Sequence, residues 1–446
     1  MPQIAFPRHS RWPALLLGAL LLVSCGEAIP NAATSPPIPA RQVIARSVDS
    51  PGRVLRDRGV LVVETRGTLF QAGVQQGTLL RERIRDQVRD YHERRAFSAF
   101  ALTPGVLHRL YARQQERHLS LDERDFVRGL AMGSGVSHES LLLLSTEPPY
   151  AMLAKSLPAV LPGGGSFIAR GKASLNGKPL VGRISDDLAL ETRQRFDMLW
   201  VHHPDAGSAW VALTRVGSLD AQAAWSANGF YASVDPLPGA PRAAGLPPRW
   251  LTLRLMAATG PDEAEAMLRQ AASRTSQAFV ATLAKGEGAR ILEASDGRVA
   301  VRSHGSGAAL ADLAQSMGAF KARTAATSSA QSRDERFGRL LASSYGQLDP
   351  ARACSILSDL VDPSTGQSGP SALSISRSLP VRLTLGPLVM GDWGKLTSTT
   401  ALVVQPLDRR LWVAIGREQV DAPQQFIDFH LDSLLGDTRS PDNDTD

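Results

Sequence analysis

The pattern of apolar and polar positions is most regular between Gly163 and Asp187, which reads GGGSFIARGKASLNGKPLVGRISDD. Two strand-length runs, Ser166 to Ser174 and Lys178 to Ile184, flank Asn176-Gly177. Both residues of that pair tolerate the positive φ of a type I′ turn, so the spacing predicts a β-hairpin. Three glycines ahead of it let the chain bend sharply, and Arg183 and Asp186 end its second strand. The hairpin is expected at the centre of a sheet.

Around it the period changes several times. Gly59 to Thr68 (GVLVVETRGT) predicts a strand, and Leu79, Leu80, Ile84, Val88 and Tyr91 recur at helical spacing from Val74 to Ala96. The arginines of that helix, Arg81, Arg83, Arg85 and Arg89, sit among Glu82, Asp86, Asp90 and Glu93 on a solvated face. Leu121 to Met132 predicts a second helix stopped by glycine, and Ser137 N-caps a third that runs to Leu144. Met198 to His202, Ala209 to Thr214 and Gly229 to Val234 read as strands of an antiparallel meander. Helices are expected at Trp250 to Ala258, from Pro261 onward, at Arg333 to Ser344 and near Ala351 to Leu360. Strands are expected at Gly288 to Ala294, Gly297 to Ser303, Thr399 to Gln405 and Arg410 to Ile415. Strands inside and helices outside, in both halves, predict an α+β fold: an αββα sandwich of two mostly antiparallel sheets.

The N-terminus follows another logic. Arg8 and Arg11 precede an apolar run from Pro13 to Val23, the layout of a signal peptide and too short to span a bilayer. Leu22-Val23-Ser24-Cys25 resembles a bacterial lipobox, which makes Cys25 the expected lipidated residue and the mature N-terminus. Lipid then anchors the chain to the cell envelope, facing the periplasm or the exterior. The expected division is signal peptide 1–24, disordered tether 25–55, helical pro-segment-like region 56–162, core 163–436 and disordered tail 437–446.

Composition narrows the chemistry. The 446-residue chain carries a formal charge of +6, which drops by two when Arg8 and Arg11 leave, so nothing points to nucleic acid. Apart from Cys25 there is one cysteine, Cys354, hence no disulfide framework and no thiolate metal site. His202 and His203 are adjacent in a strand and point to opposite faces, so no metal is expected there. No cofactor motif is present.

Several spaced motifs together resemble the acyl-CoA:6-aminopenicillanic acid acyltransferase (isopenicillin-N acyltransferase-like) family of N-terminal-nucleophile (Ntn) hydrolases. They are Phe70-x-x-Gly73-x-x-x-Gly77, Gly129-Leu-Ala-x-Gly133-Ser-Gly135-Val, and the hairpin end Val181-Gly182-Arg183-x-x-Asp186. Pro261-x-Glu263-Ala264, Ser332-Arg333-x-x-Arg336 and Arg410-Leu-Trp412-Val-Ala-x-Gly416 continue the likeness in order. The resemblance implies self-cleavage before a nucleophile whose freed α-amine acts as base, followed by amide hydrolysis or acyl transfer on a small acylated amine or peptide. Gly164 stands where the family has its cysteine, and Ser226 where it has an oxyanion asparagine.

Two readings remain. In one, the site has shifted: Ser166 is a nucleophile freed by cleavage after Gly165, Asn228 supplies an oxyanion donor, and Arg183 and Asp186 orient amine and substrate. In the other, the scaffold is a non-catalytic binding protein of the envelope, for peptidoglycan, peptide or a small acylated amine. Either way Arg183 and Asp186 are also readable as a structural ion pair.

Overall fold

The computed structural model describes residues 41–46, 51–96, 109–110, 112–145, 164–189, 196–237, 245–295, 297–302, 328–368, 375–376, 378–385, 388–415 and 425–436. The expectations for the signal peptide, Cys25 and the tail lie outside these residues. Where they end, helices are closed by their own side chains. Thr68 and Gln71 form a reciprocal capping box at the start of α1 (Leu69–Leu79). Ser120 and Glu123 do the same for α3 (Leu121–Ser134), which stops at Gly135 in the left-handed conformation, φ 70°. Glu123 also accepts from Arg254 Nε at 2.6 Å, so one carboxylate caps a helix and ties it to α5 (Trp250–Arg254). The single helix expected from Val74 to Ala96 is two. It breaks at Leu80, and α2 (Arg81–Ala96) restarts while the Arg81 guanidinium caps the Gly133 carbonyl at 3.0 Å. Helical periodicity carried straight through the break because Leu80 and Ile84 remain buried on both sides of it.

Two sheets are formed among the described residues. The larger has ten strands in the order β1 (Gln42–Arg46), β2 (Arg53–Asp57), β3 (Val60–Arg66), β6 (Asp197–His203), β7 (Trp210–Arg215), β8 (Ala221–Ser226), β9 (Tyr231–Pro236), β10 (Phe279–Lys285), β11 (Gly288–Ser295), β12 (Arg298–Arg302). It is a meander except at β3 and β6, which pair in parallel. The smaller runs β16 (Ile427–His430), β15 (Arg410–Ile415), β14 (Leu388–Gln405), β5 (Gly177–Ala189), β4 (Gly164–Gly171), with β13 (Ser378–Leu385) pairing β14. Residues 42–46 and 53–55, within the stretch read as tether, thus lie in paired strands of the larger sheet. The region read as pro-segment-like likewise contributes β3 to that sheet.

Each sheet carries helices on its outer face. Phe126 and Leu130 of α3, Leu141 of α4 (His138–Ser145), Trp250 of α5 and Leu268 of α6 (Pro261–Ala271) share one core with Trp200, Ala224, Val234 and Leu283 of the larger sheet. Phe337, Leu341, Ala353 and Leu357 of α7 (Ser328–Ser343) and α8 (Pro350–Leu357) cover Phe167, Ile184, Ala401 and Val403 of the smaller. The architecture is therefore an αββα sandwich with two mostly antiparallel sheets.

The hairpin differs from its expected form. β5 is interior, but β4 is the terminal strand of its sheet among the described residues. Gly171 pairs with Gly177, so the connection is a five-residue loop and not a two-residue Asn-Gly turn. Asn176 keeps a negative φ and instead accepts from Lys178 N through its side chain at 3.0 Å. The loop is held from outside: Leu175 N donates to Leu348 O at 2.9 Å.

One buried titratable group bears on stability. His202 is 1 % exposed; its Nδ1 lies 3.0 Å from Thr65 Oγ1, and Trp200 Nε1 donates to the same oxygen. Burial, then the neighbouring His203, lowers its pKa from 6.5 to about 4. The unfolded chain takes up this proton first, so the associated stability is whole above pH 6.5 and is lost as pH falls toward 4. Urea unfolding at pH 7, 5.5 and 4 should show a decline of roughly 3 kcal/mol from this group. His202→Leu should flatten that decline; an unchanged slope would refute its origin.

Candidate functional site

The pairing of β4 with β5 sets Ser166 directly opposite Arg183. Opposed residues share a face. Phe167 and Ile184 occupy the outer, helix-covered face, so Ser166 and Arg183 look into the space between the sheets. Arg183 is fully buried, and its charge is met from the other sheet. Its Nε donates to Asp235 Oδ2 at 2.8 Å, its Nη2 to Asp235 Oδ1, and its Nη1 reaches Gln222 Oε1 at 3.5 Å. Thr400 Oγ1 donates to that same Gln222 oxygen. A two-pronged arginine–carboxylate pair of this kind fixes direction as well as charge.

Asp186 is not the partner of Arg183. Strand residues three apart lie on opposite faces, and Asp186, fully buried in register with Ser398, has interactions of its own. The Arg-x-x-Asp motif therefore does not act as one pair.

A second polar node lies next to the first. Arg249 Nη2 donates to Ser185 Oγ at 3.2 Å, and its Nη1 sits 3.7 Å from Asp220 Oδ2, which also accepts from Arg215 Nη2 at 2.5 Å. Ser185, Asp220, Arg215 and Arg249 are all buried. None was singled out from sequence, because a buried arginine and a solvated one look alike there. The available signal was the Pro247-Pro248-Arg249 start of a short apolar helix.

Asn228 is remote from both nodes. It lies in the β8–β9 turn, about 20 Å further along the strand than Gln222 at the rise of an extended chain. Its Oδ1 accepts from Ser226 Oγ at 2.6 Å and Phe230 N at 3.0 Å, a local turn-closing role. Arg409 Nη1 holds the same turn through Ala227 O at 2.9 Å. The structure thus brings Ser166 and Arg183 together and leaves Asn228 outside.

Ser166 itself is 8 % exposed. It does not begin its strand. Gly164 pairs with Ser185 and Gly165 with Ile184, and Gly165 is so close to Phe337 that a Cβ there would meet Cε2 at 2.8 Å. Cys354 offers no alternative nucleophile at the strand start. It is on α8 in the outer layer, and burial pushes its thiol up to about 12. Among the described residues no three His, Cys, Asp or Glu side chains form a group able to hold a metal. The arrangement can orient a polar group between the sheets.

No family model and no curated protein matches the chain. Among solved structures it is similar to penicillin V acylase from Agrobacterium tumefaciens, with 13 % identity, 56 % of this chain and 83 % of that one covered, and a TM-score of 0.33. It is similar to the Caenorhabditis elegans N-acylethanolamine-hydrolysing acid amidase orthologue at 11 % identity, covering 55 % and 93 %, with a TM-score of 0.34. A mutant conjugated bile acid hydrolase from Clostridium perfringens is similar at 8 % identity, covering 61 % and 94 %, with a TM-score of 0.32. These are partial likenesses of chain path, and the αββα assignment rests on the two sheets and their helix layers.

Proposed function

We propose that this chain is a lipid-anchored binding protein of the bacterial envelope. In this proposal it takes a small acylated amine or peptide between its sheets and stays uncleaved. The ligand class follows the motif resemblance to Ntn acyltransferases, and the anchor follows Leu22 to Cys25. The observation that carries the non-catalytic half is the position of Ser166. Two hydrogen-bonded residues precede it in β4, so cleavage after Gly165 would cut a buried, paired strand. An internal serine also lacks the free α-amine that an N-terminal nucleophile uses as its base.

A second reading, Ser166 as a freed nucleophile, is favoured by its placement opposite Arg183 on the inter-sheet face. Intact-mass spectrometry of the membrane fraction separates the two. The binding reading expects one chain beginning at a lipid-bearing Cys25, with the same pattern for Ser166→Ala. Two fragments that meet at Gly165 and Ser166, abolished by Ser166→Ala, would overturn it. A soluble chain cleaved elsewhere would remove the anchor and leave the rest.

A further inference from the structure

Three hydroxyls on adjacent strands of the larger sheet, each at most 1 % exposed, find no well-formed hydrogen bond outside their own group among the described residues: Tyr231 Oη, which lies against Ser233, Ser233 Oγ and Thr282 Oγ1. Buried hydroxyls are ordinarily satisfied, and leaving one without a partner costs about 1–3 kcal/mol. These three belong together. Ser233 is directly opposite Thr282, and Tyr231 precedes Ser233 by two residues on the same strand, hence on the same face. Their neighbours in the alternation, Ala232, Val234, Ala281 and Leu283, fill the helix-side core. The hydroxyls therefore point the other way, between the sheets.

The row ends at Asp235, two residues beyond Ser233 and bound to Arg183. The Asp235 side chain is 18 % exposed, so this end of the row approaches solvent. Contacts across the sandwich place the hydroxyls relative to Ser166. Thr400 of β14 and Arg183 of β5 meet Gln222 of β8 and Asp235 of β9. The next strands outward are β4 in one sheet and β10 in the other, which carry Ser166 and Thr282.

We infer that Tyr231, Ser233 and Thr282 form a buried subsite for an uncharged amide group, the polar head of the acylated-amine ligand. The inference rests on the binding reading above. Hydroxyls both donate and accept, which matches an amide carrying one N–H and one carbonyl. Burial pushes the Tyr231 phenol up to about 12, so it keeps its proton as a donor at neutral pH. The charge beside Tyr231 argues against an anionic head: the Arg183 guanidinium is already neutralised by Asp235.

The test is calorimetric titration of the full-length protein with three probes that share one eight-carbon chain: N-ethyloctanamide, octanoate and octylamine. The amide should bind at least tenfold more tightly than the carboxylate or the amine. Thr282→Val, Ser233→Ala and Tyr231→Phe should each weaken amide binding about tenfold, with unfolding midpoints recorded to confirm folded protein. If the wild type binds the amide and all the folded variants bind it equally well, the subsite is wrong and the binding reading stands. Preference for octanoate or octylamine would also overturn the subsite. If the wild type binds no probe, the binding reading fails and takes the subsite with it. Should one variant not fold, the other two and the probe ranking still decide.

Discussion

Replacing Gly129 with alanine is expected to cost roughly 3–5 kcal/mol, enough to unfold a marginal domain. Gly73 and Gly77 on α1 face Gly129 and Gly133 on α3, each pair spaced four residues apart and so on one helix face. A Cβ at Gly129 would stand 2.2 Å from Phe70 O and 2.9 Å from Val74 N; at Gly73 it would stand 2.3 Å from Phe126 O. The obstacles are backbone atoms on both helices, which no rotamer change moves. Relief requires the helices to separate, and that loosens Ala72, Phe126, Val127 and Leu130 in the core beneath. Because one separation relieves both clashes, Gly73→Ala added to Gly129→Ala should cost little more than the first substitution. Urea unfolding monitored by circular dichroism reads the effect. A Gly129→Ala protein within about 1 kcal/mol of the wild type would show that the contact is slack.

The second large effect is expected at the pair joining the sheets. Asp235→Asn strips the counter-charge from a fully buried guanidinium whose further hydrogen bond, to Gln222, is 3.5 Å long. Breaking such a pair from one side costs about 3–5 kcal/mol. Arg183→Met should cost less, because the Asp235 side chain is 18 % exposed and retains access to water. Replacing both, as Arg183→Met with Asp235→Leu, should recover most of the loss, since the expense lies in an uncompensated buried charge. A double-mutant cycle in urea gives the coupling directly. Equal stability of Asp235→Asn and the wild type would mean that the pair contributes nothing.

What the sequence determined by itself was local. The helix starts at Leu121 and Ser137, a glycine stop beyond Met132, the first of the meander strands and the two-strand run around Phe167 and Gly182 were legible, because propensity, capping and period act within a few residues. Six strands went unread: β1, β2, β8, β10, β13 and β16. β1 and β2 carry arginines in a stretch rich in proline and serine, and β8 and β10 are rich in alanine, which has little preference for a strand. Their extended state is set by the neighbours they pair with. The same distance hid the site. Arg183 finds Asp235, 52 residues away and on the opposite sheet, while Asp186, three residues away, is turned to the other face by the pleat. Asn228 looked like a donor by motif, yet it closes its own turn far along the hairpin. Which charges are desolvated together, and which hydroxyls are left facing the gap, depends on how two sheets come to lie on each other. Only the tertiary structure decided that, because burial is a property of the whole sandwich and no short segment carries it.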